Sequence, residues 1–143
     1  MKDLEIAKKH LREEQLTLAI VKNGQLIYRT DSRRISGFIK AIDTIGAELK
    51  GASVADKVVG KALALLCVYA GVRQVYAEVL SLKAQAIFEE YNVAFEGEQL
   101  VENVLDLNKA GVCPFEKAAS LMSDPKESCA VFKTMLEKMK PCK

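Results

Sequence analysis

The sequence predicts a three-layer α/β/α domain built on a mixed sheet that a β-hairpin leads. Three observations predict it. Asn23-Gly24 stands between two strand-like runs, residues 16–21 and 25–30, and a two-residue type I′ turn needs positive φ at both central positions, which Asn-Gly tolerates. Residues 54–70 are apolar almost all round, the mark of a helix packed inside a core. After Gly71, residues 72–80 alternate, with Val75, Ala77 and Val79 on one face. A strand that follows a core helix is expected to run parallel to its neighbour.

The other elements follow in order. Residues 3–14 read as a short polar helix with Leu4, Ile6, Ala7 and Leu11 as its apolar contacts. Ile35, Phe38, Ile39, Ile42 and Ile45 recur at three- and four-residue spacing, the period of an amphipathic helix. Ser53 is placed to cap the core helix, with Asp56 near the positive end of its dipole. Ser81 is placed to cap the next helix, 82–91, and Asn92 to stop it. A short strand is expected at 93–95, while the apolar residues between 97 and 108 fit either a strand or a helical turn. Cys113-Pro114-Phe115-Glu116 has the grammar of a helix start, Pro in the first turn and Glu at its third position. Asp124-Pro125-Lys126-Glu127 repeats it and opens a last helix, with Val131, Phe132, Met135 and Met139 on its inner face.

The 143 residues suit one domain, read as an N-terminal helical segment (1–14), an α/β body (15–139) and a short tail (140–143). Such a chain buries a sufficient core without disulfide or metal. A net charge of +2 argues against nucleic acid and anionic membrane as partners, and the absence of Trp argues against a base-stacking platform. The longest apolar run, 62–70, is far short of the roughly 20 residues that span a bilayer. With no apolar leader in the first 14 residues, the expected location is the cytoplasm, where the cysteines stay reduced. Cys67, Cys113, Cys129 and Cys142 form no C-x-x-C pair, and His10 is the only histidine, so neither a zinc site nor any other cofactor is expected. The oligomeric state is left open, a homo-oligomer included.

Chemistry is then left to a few polar residues on apolar elements. Asp56, Lys57, Gly60 and Lys61 interrupt the core run, either because that end emerges into solvent or because it walls an anion pocket with Gly60 allowing close approach. Ser81 ends a parallel strand, where open α/β sheets place ligands, and is otherwise a plain cap. Cys113 precedes a Pro-initiated helix, whose unpaired N–H groups would favour the thiolate. The alternative is a structural cysteine. Glu116 stands beside it in the helix start.

Residues 55–62 (Ala-Asp-Lys-Val-Val-Gly-Lys-Ala), residues 75–81 (Val-Tyr-Ala-Glu-Val-Leu-Ser) and Cys113-Pro114-Phe115-Glu116 together resemble an uncharacterised prokaryotic family, the domain of unknown function numbered 1893, whose fold is cytidine-deaminase-like. The resemblance spans residues 16–138. It implies a deaminase-like fold with a pocket between two helix starts. Asp56 and Lys57 would stand near the place of the deaminase His-Ala-Glu motif, and Ser81, Leu82, Lys83 and Ala84 near that of Pro-Cys-x-x-Cys. Neither motif is present, so zinc-dependent deamination is not expected.

Three functions follow as expectations. The first is a zinc-free site for a small anionic or nucleotide-like ligand, lined by Asp56, Lys57, Gly60, Lys61, Ser81 and Glu116. The second is a thiol-dependent activity or group carrier with Cys113 as its catalytic residue. The third is a non-catalytic protein-interaction module.

Overall fold

A computed structural model describes residues 2–32, 35–102 and 114–139. Helix α1 (Asp3–Glu13) leads into the hairpin β1 (Leu18–Lys22) and β2 (Gln25–Thr30). Asn23 and Gly24 carry φ of 53° and 78°, as the Asn-Gly turn requires. The turn is pinned from outside as well: the N–H groups of Asn23 and Gly24 donate to the Asp3 carboxylate at 3.0 and 2.9 Å. Then follow α2 (Ser36–Ile45), a 3-10 turn (Gly46–Leu49), β3 (Ser53–Val59), α3 (Lys61–Ala70), β4 (Gln74–Ser81), α4 (Leu82–Glu90), β5 (Ala94–Val101), α5 (Pro114–Ala119) and α6 (Pro125–Met139).

The five strands form one sheet in the order β2-β1-β3-β4-β5. β1 is antiparallel to both β2 and β3, and β3, β4 and β5 run parallel, so the sheet is mixed and hairpin-led as expected. One face carries the larger core, where Leu18, Ile20, Val54, Val75, Ala77 and Leu80 meet apolar residues of α2, α3, α4, α5 and α6. The other face carries a smaller one, in which Ala7 and Leu11 of α1 cover Ala19, Val21, Ala55 and Tyr76. Helices thus flank both faces. α1 also reaches over the β5 margin: Lys8 pairs with Glu96 and Arg12 with Glu98, each at 2.6 Å, and both cations lie over the Tyr76 ring.

The expected core helix over 54–70 is overturned in its first half. Residues 53–59 are the central strand, paired with β1 on one side and β4 on the other, and the helix begins at Lys61. Val54, Val58 and Val59 are β-branched and pack well on a pleated surface, and Gly60 breaks the run. Ser53 therefore caps nothing; its hydroxyl accepts from the Gln74 amide at 2.6 Å, inside the sheet. The strand expected at 93–95 is also longer, eight residues from Ala94 to Val101, and settles the ambiguous residues up to 101 as strand. Gly71 ends α3 and Asn92, at φ 59°, follows α4, both as predicted.

Candidate functional site

In a parallel array each strand delivers the chain to the start of the following helix at its carboxyl end, so the starts of α3 and α4 lie side by side beyond β3 and β4. Because β1 is antiparallel to β3, the open end of the hairpin reaches the same rim: the Lys57 N–H donates to the Thr17 carbonyl at 3.1 Å. There the Thr17 hydroxyl donates to the Ser32 carbonyl at 2.6 Å, and the Thr30 hydroxyl to the Ser32 hydroxyl at 3.0 Å. This hydroxyl cluster escaped the sequence reading. Its only signal was the polar residues that close the hairpin, which ordinary turn chemistry also explains.

The two helix starts are satisfied in different ways. At α4 the Ser81 side chain, fully buried, accepts the Ala84 N–H at 3.0 Å. This is the expected cap. At α3 the cap position is Gly60, which has no side chain to offer. Its place is taken by Glu116, whose carboxylate accepts the Lys61 N–H at 2.9 Å and the Ala62 N–H at 2.7 Å. A Cβ on residue 60 would overlap that carboxyl group, so the glycine is what lets the acid reach the backbone. Negative charge at the positive end of a helix dipole is favourable, and here it is buried, which strengthens it. α5 presents the acid because Phe115 beside it is buried and meets Phe132 of α6 edge-to-face, ring centroids 6.0 Å apart.

The sequence-predicted residues thus divide. Gly60, Lys61 and Glu116 come together at the start of α3, with Ser81 at the neighbouring start. Asp56 and Lys57 do not join them at a helix end. They sit on β3, so the expectation that all four residues belong to one core helix falls with the first half of that helix. The resemblance put Asp56 and Lys57 near the start of the core helix; that start is Gly60-Lys61-Ala62. Asp56 pairs in register with Leu18 and Ala77, which face the larger core, and is buried, whereas Lys57 is exposed. Burial pushes the Asp56 carboxyl well above the usual carboxylate range; N–H bonds from Val58 (3.1 Å) and Lys57 oppose the shift, and the charge of Glu78 adds to it.

Among the cysteines, Cys113 lies outside the described residues, although the helix it was expected to precede does begin at Pro114. Cys67 and Cys129 are buried. Burial pushes both thiols up, with Asp56 adding to the effect at Cys67 and Lys133 opposing it at Cys129. Both are therefore the opposite of activated nucleophiles. Among the described residues no three His, Cys, Asp or Glu side chains are grouped so as to hold a metal ion, and no helix is long and apolar enough to cross a membrane.

No curated protein matches the chain. Among solved structures, RibD of Acinetobacter baumannii is 20% identical, aligns over 82% of this chain and 35% of its own, and superposes with a TM-score of 0.43, too distant to bear on fold or activity. The crystal structure of a DUF1893 family protein from Thermotoga maritima is 26% identical and superposes with a TM-score of 0.86, covering 94% of this chain and 91% of that one. The description "Domain of unknown function (DUF1893)" matches residues 6–136, and the chain belongs to that family.

Proposed function

We propose that this DUF1893 protein binds a small anionic, nucleotide-like molecule at the carboxyl rim of β3 and β4, on a deaminase-like framework that works without zinc. The observation that supports this reading is the gathering of helix starts at one rim, where the chain already holds one anionic group, Glu116, on the N–H groups of α3. In this reading the charge of the ligand is met by Lys57 and Lys61, since Glu116 fills α3. Ser81 and Glu116 act as positioning residues that fix the two helix starts. Val58 and Leu82, 43% and 50% exposed at the same ends of the strands, offer apolar surface to the uncharged part of the ligand. The thiol activity of Cys113 and the interaction module rest on their sequence arguments alone.

The test is native mass spectrometry of protein purified from its own host, followed by calorimetric titration with the nucleoside monophosphates and with inorganic phosphate as control. The expected result is a retained small molecule, or saturable binding that Lys61→Ala weakens at least tenfold while changing stability by about 0.5 kcal/mol or less. No retained mass together with no saturable binding to any of these probes would overturn the proposal.

A further inference from the structure

We draw no further inference here: the strongest candidate, the outer edge of β5 at the margin of the sheet, has nothing in the structure to show what covers it.

Discussion

The starts of α3 and α4 solve one physical problem by different routes. Each helix opens with N–H groups that have no partner within the helix. α4 takes the local route, a serine three residues before the amide it caps. α3 takes the long-range route, a carboxylate 55 residues further along the chain, admitted by a glycine. A local cap asks little of the rest of the molecule. A long-range cap ties the helix start to the docking of α5, and hence to the packing of Phe115 on Phe132. The start of α3 should therefore be the more sensitive of the two, and the more cooperative.

The largest expected effect is at Gly60. Gly60→Ala sets a methyl against the Glu116 carboxyl and pushes it off the Lys61 and Ala62 N–H groups that it caps. We expect a loss of about 3 kcal/mol in urea unfolding, the upper part of the range for overpacking. Glu116→Ala should follow at about 2 kcal/mol, since two charge-assisted bonds are lost and the buried Ala62 N–H is left without its partner. Glu116→Gln should fall between this variant and the parent, because the amide oxygen replaces one acceptor and its NH₂ opposes the other. Ser81→Ala should cost about 1 kcal/mol, the ordinary value for a lost cap. If Ser81→Ala proved more damaging than Gly60→Ala in the same melts, the ranking of the two helix starts would be wrong.

The same contrast explains what could be read from the sequence. The Asn23-Gly24 turn, the period of α2, the Ser81 cap and the Pro-initiated helices at 114 and 125 are signals carried by neighbouring residues. Each appears where it was expected. The segment 54–59 differs from expectation because its apolar side chains fit a buried helix or a buried strand equally, and periodicity alone does not separate them. Pairing with β1 and β4 decides it, and those partners lie far away in sequence. Gly60 signals close approach in the sequence, but what approaches, the carboxyl of Glu116, is fixed only by the tertiary fold. Asp56 stands out in the sequence as a polar residue in an apolar run, but its burial inside the sheet depends on the pairing of β3 with β1 and β4.

An effect that depends on pH is expected at Asp56. Its carboxyl titrates above the ordinary range in the folded protein, so the folded state keeps this proton to higher pH than the unfolded chain does. Ionisation then works against folding: from this residue, stability falls as pH rises above the unfolded value near 3.9 and levels off once the folded group has titrated. Asp56→Asn keeps an oxygen for the Val58 N–H and removes the charge. The variant should gain stability over its parent at neutral pH, and the gain should close as pH is lowered toward about 4. Urea melts at pH 4, 5.5 and 7 measure this directly. A gap between the two proteins that did not change with pH would contradict the burial argument.

The most direct test of the account is a double-mutant cycle on Gly60 and Glu116, followed by chemical unfolding. If the glycine exists to admit the acid, Gly60→Ala should cost much less once the acid is gone. In the Glu116→Ala background we expect it to fall to about 1 kcal/mol, the general disadvantage of alanine against glycine at a cap position. The coupling would then be about 2 kcal/mol. Costs that simply add, within about 0.5 kcal/mol, would show two independent residues and would contradict the claim that Glu116 reaches the start of α3 through the space at Gly60.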